Sequence, residues 1–439
     1  MKKIKRRSNL ALIITLVFIL GLCVFVVNLV SDGRDWAMLR ANQSVFSSGV
    51  LNTGTVTDRN GIILAQAGSG MFSYADDETV RRACFHAVGD FSGNVGTGAL
   101  RAFTWRIAGY NLVTGTTSFR GRGGTLALSI DSNLNTVAYR ALAGRNGAVL
   151  VSNYRTGQIL SMVSTPSYDP NNRPDISSSA FEGVYLNRGL SSAFTPGSIF
   201  KLVTLAAAIE RIPDLYDRSF YCGGRVLVGG DVVTCMRSHG VQNIEQALAN
   251  SCNLAFSELS QELGAEWIAM YADNFGLIES FSVSGISTAR GGFEMAAAGT
   301  GALSWSGIGQ HRNLVSPVAA LRFVSAIANG GIAQDLVLTR GESSASKRIM
   351  GEDTAAKIAD MMSFSVVYAY DSEHRFPGLS LSAKTGTAET GRGTSHAWFI
   401  GFLNDPQNPL AFAVFIEDGG GGLVNAGPVA NAVLQAAVN

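Results

Sequence analysis

Charge is what this chain has least of: Asp, Glu, Lys and Arg make up 15% of its 439 residues, against 46% hydrophobic residues. So much apolar side chain with so little charge excludes wholesale disorder, because buried surface can offset the ordering entropy. Proline is scarce, at ten residues, and the fifty glycines follow no Gly-X-Y period, which excludes collagen-like and Pro-rich architectures. The five histidines, His86, His239, His311, His374 and His396, are too scattered for an HExxH-type pair, and each reads as structural. Walker A, GxGxxG and GxSxG sequences are missing, as is any repeat of about 20 to 50 residues. No metal and no cofactor is therefore expected.

A basic stripe is missing too. The net charge is +1, but Lys2, Lys3, Lys5, Arg6 and Arg7 crowd the first seven residues, leaving 29 basic against 33 acidic groups, a net of −4. A mildly acidic body argues against nucleic acid as a partner. Directly after the basic tip comes an uncharged run of 21 residues at 10–30, LALIITLVFILGLCVFVVNLV. At about 1.5 Å per residue this is long enough for a hydrocarbon core of roughly 30 Å. A cleaved signal peptide is the other reading, but its apolar core runs to about 7 to 15 residues and ends at small residues, whereas this run leads into SDGRDW. The expected organisation is a cytoplasmic tip at 1–9 and a membrane anchor at 10–30, with everything beyond exported.

Five cysteines are present. Cys23 lies in the apolar run, Cys84 is isolated, and Cys252 sits in a helical stretch as a small hydrophobe. Cys222 and Cys235 bracket CGGRVLVGGDVVTC, whose two β-branched runs around Gly229 and Gly230 read as a hairpin. A disulfide between them is expected, two unrelated thiols being the alternative.

Residues 31–144 read as a small β-rich spacer, with a strand, an Asn-Gly turn and a second strand in GTVTDRNGIILAQ. A larger domain at 145–439 opens with the strand runs AVLVSNY and QILSMVS. Helical patterns come next at 199–212, 244–263, 317–331 and 353–367, then strands at 379–387, 396–403 and 409–418 and a helix from about 428. This order describes an α+β fold whose antiparallel sheet joins the opening hairpin to the last three strands, with helices against it.

Nucleophile chemistry stands out. In FTPGSIFKLVTLAAAIERI, Ser198 opens an apolar helix behind Pro-Gly, and Lys201, three residues on, shares its face. A serine needs a base, and a buried lysine can serve once its pKa falls. The motif recurs at Ser344 and Lys347 in a polar stretch, read as a chance match. Ser251 and Asn253 form an S-x-N inside a helical segment, and Lys384, Thr385 and Gly386 lie on a strand able to pair with an extended ligand. Trp398 reads as core.

S-x-x-K, S-x-N and K-T-G in this order resemble the penicillin-binding protein family, the serine D,D-transpeptidases of cell-wall synthesis. The segments GAVLVSNYRTGQILSMVSTPSYDPN and AKTGTAETGRGTSHAWFIGF are similar to that domain. TDRNGIILAQ and GGTLALSIDSNLNTVAYRAL resemble the pedestal of its monofunctional class B members. The resemblance implies a β-lactamase-like transpeptidase fold in which Ser198 is the nucleophile, Lys201 its base, and Ser251 and Lys384 a proton relay. It implies an oxyanion hole from the N–H groups of Ser198 and Thr387. Asn253, Thr385, Gly386 and Thr387 would bind substrate, and stem peptides and β-lactams would be the ligands. It also suggests a membrane-embedded glycan polymerase as partner and a catalytic domain outside the plasma membrane. Ile199 departs from the threonine usual after the nucleophile, and the pedestal is short.

The same motifs serve D,D-carboxypeptidases and serine β-lactamases, in which water deacylates the enzyme. From another class, a non-catalytic β-lactam sensor or scaffold would keep the serine but need a signalling domain. About 110 residues between anchor and catalytic domain leave no room for a glycosyltransferase of ordinary domain size.

Overall fold

Strands Ser395–Leu403 and Leu410–Ile416 are apolar on both sides of the pleat, and such strands need cover on both faces. In the computed structural model, which describes residues 2–47, 50–68, 71–116, 123–391 and 393–439, they lie inside a five-stranded antiparallel sheet. Its order is Leu381–Glu389, Ser395–Leu403, Leu410–Ile416, Gly147–Asn153, Ile159–Thr165. The opening hairpin and the last three strands thus share one sheet, and the fold is the α+β arrangement with helices on both faces.

The period of two is clean. Trp398, Ile400, Phe402, Ala413 and Phe415 join one core, with side chains of helices Lys201–Arg211 and Pro317–Ala328. Ala397, Phe399, Phe412, Val414 and Ile416 join a second core, with Leu134, Ala138 and Leu142 of helix Ser132–Leu142 and Val429, Val433 and Leu434 of helix Gly427–Val438. Helix Ser132–Leu142 lies ahead of residue 145, where the larger domain was expected to begin, yet it covers that domain's sheet.

Two expected helices are divided. The 199–212 pattern is a 3₁₀ turn, Gly197–Phe200, leading into the α-helix Lys201–Arg211. The 244–263 pattern splits into Ile244–Ala249 and Asn253–Asn274, with Ser251 between them at φ 51°. One left-handed residue redirects the chain without disturbing the apolar periodicity, so the pattern reads through the break.

The N-terminal helix, Lys2–Ala37, is continuous over 36 residues; its most apolar stretch has mean hydropathy 3.2 and is bare of protein cover. It is long and apolar enough to cross a membrane. Its C-terminal end is packed into the adjoining fold: Gly33 is buried and close to Tyr110, and Arg34 lies over the Trp105 ring. A four-stranded sheet comes next, in the order Met71–Tyr74, Ile63–Gly68, Gly54–Thr57, Thr125–Ala127, the last pair parallel. A bidentate ion pair ties this part to the larger domain, Arg81 Nε to Asp169 Oδ1 at 2.6 Å and Nη2 to Oδ2 at 2.7 Å. Asp169 is held below the ordinary carboxylate range by that hydrogen-bonded guanidinium.

Candidate active site

The S-x-x-K segment turns on Gly197, whose φ of +56° suits glycine. A Cβ there would stand 2.7 Å from Thr387 O, so the turn and the Leu381–Glu389 strand touch backbone to backbone. Ser198 comes next, partly exposed, in the first turn, where N–H groups have no acceptor within the helix. Lys201 starts the α-helix and is fully buried.

A buried lysine must be satisfied. Lys201 Nζ lies 2.6 Å from Ser251 O, 2.7 Å from Asn253 Oδ1, 3.1 Å from Ser198 Oγ and 3.2 Å from Ser251 Oγ. Burial pushes its pKa down to about 8. Lys384, also fully buried, donates to Ser251 Oγ at 3.0 Å and to Thr385 O at 2.9 Å. Burial, with the charge of Lys201 adding to it, holds Lys384 well below the ordinary lysine range. The Ser251 hydroxyl therefore bridges the two amines, and its left-handed backbone is a strained conformation of the kind that collects at functional sites. Asn253 Nδ2 donates to Thr234 O at 2.8 Å.

Lys384, Thr385, Gly386 and Thr387 lie on the sheet's edge strand, Leu381–Glu389. The Thr385 N–H donates to Tyr370 OH at 3.2 Å, away from the neighbouring strand. Antiparallel alternation turns the Thr387 N–H to the same open side, and Gln310 Nε2 meets Thr387 O there at 3.4 Å. The Thr387 hydroxyl accepts from Gly422 N–H at 3.3 Å, and that of Thr385 lies 3.3 Å from Tyr370 OH. Gly386 is enclosed: a Cβ would stand 2.9 Å from Pro196 O and 3.0 Å from Trp398 Cβ. Trp398 is core, its indole N–H donating to Thr195 O at 2.9 Å. Ser344 and Lys347 belong to a different, exposed part of the surface, and Ser344 Oγ donates to Asp335 O. A cavity of about 1160 Å³ lies at the foot of the N-terminal helix, lined by Arg34, Met38 and Trp105 among others, and touches none of these groups.

Ser198, Lys201, Ser251, Asn253 and Lys384 thus converge, with Thr385 and Thr387 on the adjoining edge. Tyr370, Gln310 and Gly422 escaped the sequence reading, since each meets the strand only through folding and carries no motif.

The cysteines require a correction. Strands Arg225–Val228 and Asp231–Thr234 form the expected hairpin, with Gly229 and Gly230 at φ 59° and 93°. It draws Cys222 and Cys235 together, but every cysteine is a free thiol. The two sulfurs instead approach His239 Nδ1, at 3.4 and 3.6 Å. With Cys252 they make a group whose ligand atoms all lie within 4.8 Å of one another. The expected disulfide is not formed, and His239, expected to have nothing at ligand spacing around it, has three cysteines within reach. Only Cys235 and His239, four positions apart, stand at short spacing; Cys222 and Cys252 lie 13 residues to either side and join them through folding.

A partly exposed serine, two buried amines and an open strand edge are the parts that an active-serine acyl-transfer centre needs, here on an α+β scaffold. The penicillin binding protein transpeptidase domain model matches residues 147–435, and the chain belongs to that family, in its class B branch. The peptidoglycan D,D-transpeptidase PbpA of Mycolicibacterium smegmatis is 29% identical over 388 residues, 76% of each chain. Stage V sporulation protein D of Bacillus subtilis is 27% identical over 70% of this chain and 51% of its own length. Among solved structures, the imipenem acyl-enzyme complex of penicillin-binding protein A from M. tuberculosis superposes with TM-score 0.77 at 25% identity, covering 90% of this chain and 100% of that one.

Proposed function

We propose that this chain is a serine D,D-transpeptidase that cross-links peptidoglycan stem peptides through an acyl-enzyme, and that β-lactams acylate the same serine. The surroundings of Lys201 Nζ carry the reading. Its two nearest partners, Ser251 O at 2.6 Å and Asn253 Oδ1 at 2.7 Å, are carbonyl oxygens that only accept. A neutral amine has two N–H groups, and giving them to those carbonyls leaves its lone pair for the Ser198 hydroxyl at 3.1 Å.

Ser198 Oγ attacks the carbonyl carbon between the last two D-alanines while its proton passes to Lys201. The N–H groups of Ser198 and Thr387 receive the oxyanion, each contributing on the order of 3 kcal/mol. As the C–N bond breaks, the departing amine takes a proton through Ser251 Oγ, replenished from the lysines at 3.0 and 3.2 Å. Asn253 holds the donor's amide, the hydroxyls of Thr385 and Thr387 the terminal carboxylate, and the backbone around Gly386 pairs with the peptide. A second strand's amine then attacks the ester and frees Ser198.

The 10–30 run anchors the protein in the plasma membrane, with residues 1–9 in the cytoplasm, 31–144 as pedestal and 145–439 outside. A membrane-embedded glycan polymerase is the proposed source of the strands to be joined.

A fluorescent penicillin should label the protein covalently, and Ser198→Ala should abolish the label; labelling that survives would remove Ser198 from the role. Given stem-peptide polymer and an amine acceptor, the enzyme should make cross-linked product. Release of D-Ala with no cross-link would make it a carboxypeptidase.

A further inference from the structure

The Cys222, Cys235, His239 and Cys252 group has no part in acyl transfer, yet it touches the acyl-transfer site. Cys222 ends strand Phe220–Cys222, Cys235 comes just after strand Asp231–Thr234, and His239 precedes strand Gly240–Gln242. Cys252 caps helix Asn253–Asn274 and stands between Ser251 and Asn253. The four therefore join both ends of the 225–234 hairpin to the S-x-N turn. Cys222 and Cys252 are fully buried, while Cys235 and His239 are partly exposed and leave a way in from solvent.

The distances discriminate between uses. A tetrahedral zinc, with Zn–S of about 2.3 Å and Zn–N of about 2.0 Å, sets its ligand atoms about 3.5 to 3.8 Å apart. His239 Nδ1 lies 3.4 Å from Cys222 Sγ and 3.6 Å from Cys235 Sγ, and all four ligand atoms fall within 4.8 Å of one another. Three sulfurs cannot all pair as disulfides, and a disulfide gives the imidazole nothing to do. Three thiolates and one imidazole form a soft set that favours zinc over magnesium or calcium. The Asn253 N–H donates to Cys235 Sγ at 3.3 Å, the kind of outer hydrogen bond that orients a ligating thiolate.

We propose that Cys222, Cys235, His239 and Cys252 bind one zinc ion, which fixes the 251–253 turn against the hairpin and so holds Ser251 and Asn253 toward Lys201. Four protein ligands close the coordination shell, so the ion is structural and takes no substrate. Binding releases the three thiol protons to solvent and leaves the imidazole neutral, for a centre of net charge −1.

The test uses the full chain in detergent, reduced and stripped of metal. It should take up about one equivalent of zinc by elemental mass spectrometry. With cobalt(II) it should show thiolate-to-metal charge transfer and the visible bands of a tetrahedral ion. Cys235→Ser and His239→Ala should weaken zinc binding at least about tenfold, as measured against a chromophoric chelator, while Cys84→Ser should bind like the parent. Stripping zinc should slow acylation by fluorescent penicillin, and restoring it should recover the rate. Reduced protein that takes up neither metal, or a Cys235→Ser variant that binds as well as the parent, would overturn the site. So would protein isolated without zinc, two hydrogens lighter and with three titratable thiols in place of five. An acylation rate indifferent to the metal would overturn the link to the 251–253 turn.

Discussion

Lys201 and Lys384 meet at one hydroxyl, Ser251 Oγ, at 3.2 and 3.0 Å. Both amines are fully buried, and two ammonium groups in that space would repel, so the pair shares its charge and titrates jointly. Lys201, as the proposed base, must be neutral to act. Burial lowers Lys201 to about 8, so below that pH the amine is protonated and the base is lost. The rate of penicillin acylation should therefore rise as pH increases from 6 through about 8 and level off above, a profile measurable by stopped-flow labelling; a flat profile would remove Lys201 from the role. At this scale the sequence was legible where chemistry demands short spacing. Ser198 and Lys201, Ser251 and Asn253, and Lys384 to Gly386 announce themselves within four residues. Tyr370 lies 15 positions from the Thr385 it contacts and leaves no local trace; in the cysteine and histidine group the hairpin linked Cys222 to Cys235 and four positions separate Cys235 from His239, but Cys252 joins them only through folding.

The strand Leu381–Glu389 and the Gly197–Phe200 turn are built to touch. Gly386 has backbone oxygen of Pro196 on one side and Trp398 on the other. A methyl group in Gly386→Ala would force the strand off the nucleophile turn, and a displacement of about 1 Å at a reacting centre costs roughly a hundredfold in rate. Acylation should fall by about that factor while the thermal midpoint moves only a few degrees; an acylation rate within about twofold of the parent would show that the contact is not needed. Strands were readable because they are apolar on both faces and short. The division of the 244–263 helix was not, because Ser251 breaks the backbone while the apolar period continues, and the break is where the site needs it.

Between the N-terminal part and the larger domain, the Arg81–Asp169 pair is nine-tenths covered, at 11% and 6% side-chain exposure. Arg81→Ala should cost roughly 2 kcal/mol through loss of charged hydrogen bonds, seen as a lower denaturation midpoint and faster proteolysis in the 75–90 segment. Asp169 is depressed in the folded chain, so its contribution is full above the unfolded carboxylate value of about 3.9 and fades as pH falls below it. The pair should leave stability unchanged between pH 5 and 8, and an Arg81→Ala effect confined to neutral pH would contradict it. The shift in pattern near residue 145 suggested a division there, whereas the placement of helix Ser132–Leu142 on the five-stranded sheet was not legible, since an amphipathic helix does not say which apolar face it will cover. The helix that begins at Lys2 runs unbroken to Ala37, and Gly33 and Arg34 are already seated against Tyr110 and Trp105. On the proposed reading of the 10–30 run as a membrane anchor, no free linker separates span from body, so the serine would keep one height above the bilayer and the wall strands would have to be delivered to that height.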